Sequence, residues 1–256
     1  MGGPAGLTLT VIGAGPAWSD RPGSSGAAYL VESGSTAVLL DLGQGSFPRL
    51  ARSIEPSRLD AVVISHLHPD HFIDLVPLRH YLAYQHQPAR SVRVIAPNGL
   101  TERIDALHAQ PGFTAVSLDV EPFGPAPIRI GDLTVQARRV RHTDDSHAVR
   151  IAAKDGPGLV YSGDCGVAED LAPLIRPGDA LLVEVSFGAG PVPPGALHLN
   201  AEAIARLAAA TRPGRVFLTH LQMALDRETP VEIVASAMAG RAQLVEPGER
   251  FDLSQP

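Results

Sequence analysis

Ser65-His-Leu-His-Pro-Asp-His71 sets four potential metal donors, His66, His68, Asp70 and His71, within six residues. The stretch follows directly on Ala61–Ile64, an aliphatic, partly β-branched run that reads as a buried strand. A loop at a strand end can turn several side chains onto one centre, and His and Asp offer N and O donors to a borderline cation such as zinc. The plainer reading is a polar loop whose residues cap the helix that follows. Composition argues against it, because the chain has only ten histidines and three of them stand here.

Working outward, three more candidates fall at ends of predicted strands. His142 follows Leu133–Val140, Asp164 follows Gly158–Ser162, and His220 follows Arg215–Thr219. Each alone reads as a turn residue; together with the first cluster they lie on one rim of a sheet. Other strands are expected at Leu7–Ile12, Ala27–Val31, Ala37–Leu40, Val92–Ile95, Thr114–Val120, Ile128–Ile130, Ala148–Ala152, Ala180–Val185 and Gln243–Val245. Helices are expected at Phe47–Ile54, His71–Gln85 with a bend at Pro77, Leu100–His108, Val167–Ile175, Ala201–Ala210 and Val231–Ala239. A β-rich first part followed by helix/strand alternation predicts two sheets flanked by helices. No internal repeat and no linker divides residues 1–256, so one domain is expected, with Gly188–Gly195 a loop beside the pocket.

The pattern His66-x-His68-x-Asp70-His71, then His142, Asp164 and His220, resembles the signature of the metallo-β-lactamase superfamily. Leu39-Leu-Asp-Leu-Gly-Gln-Gly45 resembles the family's strand and turn ending in an Asp and glycines, and the likeness runs from about Leu7 to about Met223. It implies an α/β fold, the αββα four-layer sandwich of two mixed sheets flanked by helices, with the site at the open edge between the sheets. It implies two divalent metal ions, zinc first and manganese second. One would rest on His66, His68 and His142, the other on Asp70, His71 and His220, with Asp164 bridging and Asp41 the buried carboxylate behind the ligand loop. His at position 68, where the flavodiiron branch carries Glu, points to hydrolysis through a metal-bridging hydroxide rather than to oxygen chemistry.

Leu181-Leu-Val-Glu-Val-Ser-Phe187, Leu197-His-Leu-Asn200 and Val216-Phe-Leu-Thr-His-Leu221 resemble the ribonuclease Z-like phosphodiesterase branch. By that likeness Glu184 orients His198, which protonates the leaving alkoxide or steadies charge on the phosphoryl group, so Asp70, His198 and Glu184 are the candidate catalytic residues. The plainer alternatives are a strand-end carboxylate on backbone amides for Glu184 and a solvent-exposed helix start for His198. The layout, including Ser24–Gly26, is similar to small bacterial cyclic-nucleotide phosphodiesterases. Only twenty-one residues separate His142 from Asp164, too few for the long arm of tRNA-processing relatives. Cys165 stands where Thr is usual, and is read as packing rather than as a nucleophile. Alternatives are an ester, thioester or lactone hydrolase, a tRNA 3′-processing endoribonuclease, or an inactive metal-bound partner-binding protein.

A net charge of −6 and the lack of any Lys/Arg run speak against long nucleic acid as a partner and for a small-molecule substrate. One cysteine permits no intrachain disulfide, which fits a reducing cytoplasm. Met1–Gly6 shows no signal-peptide pattern and no apolar run reaches membrane length, so a cytoplasmic protein is expected, with a homodimer suggested by the branch alone. Gly13-Ala-Gly15 lacks the third glycine and the helix of a dinucleotide fingerprint. Trp18 and Arg21 lie in the loop that follows, placed to contact substrate. His80, His86 and His108 read as surface or structural, and His147 as a residue that can face the pocket.

Overall fold

Aliphatic and β-branched runs bounded by glycine, proline and polar turns become strands because a pleated strand packs such side chains on both faces. The computed structural model describes residues 6–154, 156–238 and 241–254. Readings that fall on residues 1–5, and on Ala239 at the end of one expected helix, lie outside the described residues. In chain order the strands are β1 (Thr8–Gly13), β2 (Ala28–Ser33), β3 (Thr36–Leu40), β4 (Ala61–Val63), β5 (Val92–Ala96), β6 (Leu118–Pro122) and β7 (Ile128–Ile130). They continue with β8 (Leu133–Val140), β9 (Ser146–Ala153), β10 (Leu159–Tyr161), β11 (Ala180–Glu184), β12 (Arg215–Thr219), β13 (Ala242–Leu244) and β14 (Arg250–Asp252). The helices are α1 (Phe47–Ser53), α2 (Pro69–Phe72), α3 (Leu75–Tyr84), α4 (Leu100–His108), α5 (Ala201–Thr211) and α6 (Thr229–Ser236).

The strands form two mixed seven-stranded sheets, ordered β14-β1-β2-β3-β4-β5-β6 and β13-β12-β11-β10-β9-β8-β7. In the first, β3 through β6 run parallel and β14, β1, β2 and β3 antiparallel. The second has the same plan, with β10 through β13 parallel and β7 through β10 antiparallel. Three apolar clusters stack through the molecule. Tyr29, Val31, Val38 and Leu40 of the first sheet meet Val149, Ile151, Leu182 and Phe217 of the second in the centre. Leu30, Leu39 and Val62 turn outward onto Leu50, Leu78 and Ile104 of α1, α3 and α4. Val160, Leu181 and Leu218 turn outward onto Ile204, Leu207 and Val234 of α5 and α6. The order helix, sheet, sheet, helix is therefore a packing result: each sheet has two apolar faces and must cover both.

Three expectations need correction, and one strand was not expected. The helix from His71 to Gln85 is two pieces, α2 and α3, and Pro77 does not bend it, because it sits in the first turn of α3, where its missing N–H has no helical partner. Val167–Ile175 is no helix but a single 3-10 turn, Ala168–Asp170, continued by turns. Thr114–Val120 divides into a 3-10 turn, Thr114–Val116, and β6. The strand β14, with two charged residues in three, carries too weak a pattern to be read locally; it exists because β1 offers it an edge. No helix among the described residues is long and apolar enough to cross a membrane.

Candidate metal centre

The carboxyl ends of the strands in both sheets meet at one edge, the usual place for a site in α/β architecture. After β3 comes Asp41, after β4 the His66–His71 loop, after β8 His142, after β10 Asp164, after β11 the segment leading to His198, and after β12 His220. Close backbone approach makes this possible. Gly43 passes so near the ligand loop that a Cβ there would stand 1.8 Å from the Asp70 carbonyl oxygen. The amide of Ala27 donates to that same carbonyl at 3.0 Å, and Leu42 N donates to His71 O at 2.7 Å. Asp41 and His220 both adopt left-handed backbone, φ 57° and 60°, conformations that a non-glycine residue keeps only where surrounding contacts enforce them.

The structure gathers all seven expected ligands. His66, His68, His142 and Asp164 bring donor atoms within 4.8 Å of one another, and so do Asp70, His71 and His220. Asp164 belongs to both halves through different oxygens. Its Oδ2 lies 3.7 Å from His66 Nε2 and 3.6 Å from His142 Nε2, while its Oδ1 lies 3.4 Å from both His71 Nε2 and His220 Nε2. Asp70 Oδ2 stands 3.6 Å from His220 Nε2 and 3.7 Å from His71 Nε2. Most of these gaps exceed hydrogen-bond length. They match two ligands sharing a tetrahedral cation at ordinary Zn–N and Zn–O distances, which stand roughly 3.4 Å apart.

The unsatisfied atoms make the same point. His66 Nε2, His71 Nε2 and Asp164 Oδ1 are buried without a hydrogen-bond partner. Buried polar atoms are almost always paired, so three orphans facing one another fit a group that binds between them. The donor set, imidazoles and carboxylates without a thiolate, suits divalent metal ions.

Behind the donors lies a hydrogen-bonded support. Asp41, fully buried, accepts from Ser65 N at 2.6 Å, Ser65 Oγ at 2.7 Å, Tyr161 OH at 2.6 Å and His71 Nδ1 at 2.7 Å. That leaves His71 Nε2 as the ligating nitrogen and fixes the ring. His142 Nδ1 donates to Leu197 O at 2.8 Å, and Tyr29 OH shares a 2.6 Å hydrogen bond with Thr219 Oγ1 just before His220. Sequence reasoning missed Ser65, Tyr161, Tyr29 and Thr219, which look like core or strand residues until the sheets are packed.

Electrostatics divides the histidines. Burial holds His66 well below the usual imidazole range, and burial lowers His68 and His142 as well, favouring the neutral rings that ligate. Burial also opposes charge on His71, but Asp164 and Asp41 override it and hold that ring well above the ordinary value. Asp164 is buried too, yet His220 and His71 keep its carboxyl well below the carboxylate range.

Glu184 and His198 are brought together. Glu184 Oε1 accepts from His198 Nδ1 at 3.0 Å and from Cys165 N at 3.1 Å; its Oε2 accepts from Ser186 N at 3.0 Å and Ser186 Oγ at 2.5 Å. The amide-bound alternative for Glu184 and the His198 pair are thus both present. Burial lowers His198, but the Glu184 hydrogen bond and charge more than offset it and raise the ring above its usual value. His198 Nδ1 also stands 3.9 Å from Asp164 Oδ2. Burial pushes the Cys165 thiol up to about 12, so it stays protonated and packs. His147 lies inside β9 with its ring stacked on Phe123 at 4.2 Å, outside every donor group.

The family model for the β-lactamase superfamily domain matches residues 36–221, a span that holds every one of these donors. The chain belongs to the metallo-β-lactamase superfamily. Superfamily membership makes it a metal-dependent hydrolase that works with divalent ions. Within the superfamily it is 31% identical to the uncharacterized protein ML1173 of Mycobacterium leprae, over 92% of this chain and 85% of that one. It is 26% identical to the probable metallo-hydrolase YhfI of Bacillus subtilis, over 84% of this chain and 87% of the relative. The crystal structure of YhfI covers 97% of this chain and 99% of its own, with TM-score 0.85 and 22% identity. The short form of human tRNase Z covers 96% and 99%, with TM-score 0.74 and 21% identity. These two structural likenesses are likenesses of fold.

Proposed function

We propose that the protein is a phosphodiesterase for small phosphodiesters such as cyclic nucleotides, with its two cations held by His66, His68, His142 and Asp164 on one side and by Asp70, His71, His220 and Asp164 on the other. The observation that carries this reading is the His198–Glu184 pair at 3.0 Å, set 3.9 Å from the shared Asp164. When bound, the metal pair supplies Lewis acidity for the phosphoryl oxygens and lowers the pKa of the attacking water. Glu184 takes the Nδ1 proton's hydrogen bond, so Nε2 is the free end of His198, and its raised affinity for a proton suits it to protonate the departing alkoxide. An ester or lactone also expels an alkoxide, so turnover of a diester set against turnover of an ester separates the two readings.

A tRNA substrate is less well supported. The twenty-one residues between His142 and Asp164 are occupied by β9, its turn and β10, which leaves no length for an arm, and the net charge is −6. An inactive, partner-binding role is disfavoured by the complete donor set.

The test is turnover of a cyclic 3′,5′-nucleotide and of a generic bis-aryl phosphodiester by the zinc- or manganese-reconstituted protein, with His66→Ala and His198→Ala alongside. His198→Ala is expected to lower turnover by about 10²–10⁴ with metal content near wild type. Loss of metal in that variant, or hydrolysis of esters alone, sinks the assignment.

A further inference from the structure

Large apolar side chains exposed to water are distributed unevenly over this molecule. Among the described residues seven are exposed: Trp18, Tyr84, Leu107, Val116, Leu197, Met223 and Leu225. Three of the seven, Leu197, Met223 and Leu225, lie on the segments that carry His198 and His220, and a fourth, Trp18, lies on a loop bonded to the donor segments. Leu197 directly precedes His198, and its carbonyl holds His142 Nδ1 at 2.8 Å. Met223 and Leu225 follow His220 by three and five residues. The loop bearing Trp18 is tied at one end to His220, whose amide donates to Ala14 O, and at the other to Asp70 through Ala27 N, each at 3.0 Å.

Direct contacts join these loops into one rim. Arg21 Nη2 donates to Gln222 O at 3.5 Å, which sets the Trp18 loop against the segment holding Met223. Gly188 lies where a Cβ would touch Leu221 Cδ1 at 3.3 Å and Leu225 Cδ1 at 3.6 Å, so that segment packs on the loop that carries Leu197. The Trp18 loop is also pinned from below, since Gln44 Nε2 donates to Pro16 O and Ala17 O at 3.3 Å each and Arg49 Nη2 donates to Gly23 O at 3.1 Å. The backbone that carries Trp18 is therefore fixed before any ligand arrives, which lowers the cost of ordering the loop on binding.

We propose that Trp18, Leu197, Met223 and Leu225 form an apolar collar around the metal centre that takes the planar base of a nucleotide substrate. The proposal rests on the phosphodiesterase reading above and adds the part of the substrate the metals do not touch. The centre itself is polar throughout, and a ring of exposed indole, leucine and methionine around it matches a ligand with a charged phosphodiester at one end and a flat, weakly polar body at the other. Every nucleobase has a π-face for stacking on an indole, and a thioether and leucine methyls adapt to its edges.

Trp18 is the sole tryptophan, so intrinsic fluorescence reports on this one position. Zinc-reconstituted protein, excited at the red edge of the indole band where nucleobases do not absorb, is titrated with adenosine 5′-monophosphate, ribose 5-phosphate and hexyl phosphate. Hydrolysis of cyclic adenosine monophosphate is followed in parallel. Saturable quenching by the nucleotide and none by ribose 5-phosphate is expected, with KM for the cyclic nucleotide raised about tenfold in Trp18→Ala and largely restored in Trp18→Phe. Trp18 is 62% exposed, so its replacement spares the core. Turnover of the cyclic nucleotide without quenching, and with KM unmoved in Trp18→Ala, overturns the collar and leaves the phosphodiesterase standing. A response to hexyl phosphate but not to the nucleotide also overturns it, in favour of an acyl-bearing substrate. Quenching by the nucleotide without turnover of any diester keeps the collar and removes the catalytic reading.

Discussion

Asp41 receives four hydrogen bonds on two oxygens, so Asp41→Asn would turn an amide N–H₂ toward Ser65, Tyr161 or His71, each of which donates to it. His71 would lose both its orientation and the charge that makes its Nε2 a good ligand. Metal affinity is expected to fall about 10–100-fold, read by competition with a chromogenic chelator. Ser65→Ala, which removes one of the four, should cost less; equal affinity in Asp41→Asn and wild type would show that His71 needs no such support. The donors were legible in the sequence because they are chemically rare and four of them are neighbours. Asp41 was legible by likeness to a family turn. Tyr161 and Tyr29 were not, since a tyrosine in a β-branched run announces a core residue, and its hydroxyl partner comes from a strand more than a hundred positions away.

At the scale of elements, two polar clusters tie together segments in and around the second sheet. Asn200 caps α5 by accepting from Ala203 N at 3.1 Å, and its amide donates to Gly190 O at 3.0 Å, joining the helix to the loop beside His198. Asn200→Ala is expected to cost about 1 kcal/mol in a urea titration. On the other side, Arg150 of β9 makes a two-bond fork at 2.7 and 2.8 Å with Asp179 just before β11. Asp179 also accepts from Gly158 N and Arg176 N at 2.7 and 2.9 Å. Burial opposes the charge on Asp179, but Arg150 and the two amides outweigh it and lower its carboxyl pKa. A lowered carboxyl contributes stability above its unfolded pKa of about 3.9 and loses it as pH falls through the folded value. Asp179→Asn should therefore cost about 3–5 kcal/mol at neutral pH, with the gap to wild type closing below roughly pH 4; a gap independent of pH would mean the charge is not what matters. Periodicity located most elements within two residues, and it failed where position inside an element decides the outcome. Pro77 reads as a break yet opens α3. Val167–Ile175 has helical spacing, but Pro173 and the short reach to β11 leave room for one tight turn.

For the molecule as a whole, the centre draws donors from both sheets: His66, His68, Asp70 and His71 from the first, and His142, Asp164 and His220 from the second. Cations held there would act as a clasp across the central apolar layer. Stripping them with EDTA should lower Tm, and restoring zinc should raise Tm with concentration, the gain in unfolding free energy being about 2.7 kcal/mol at a hundredfold excess over Kd. A Tm indifferent to chelator would separate these residues from metal binding. The two-sheet plan was legible from alternation in the later half, whereas β14 was not, because a three-residue strand is defined by the edge it joins. That edge is β1, near the other end of the chain: Thr8, Leu9 and Thr10 pair with Asp252, Phe251 and Arg250. On the ribosome, then, β1 waits for a partner strand synthesised more than two hundred residues after it. Until Asp252 clears the exit tunnel, β1 has one flank bare, and a nascent chain stalled earlier would present it to any passing chaperone or to its neighbour on the same message.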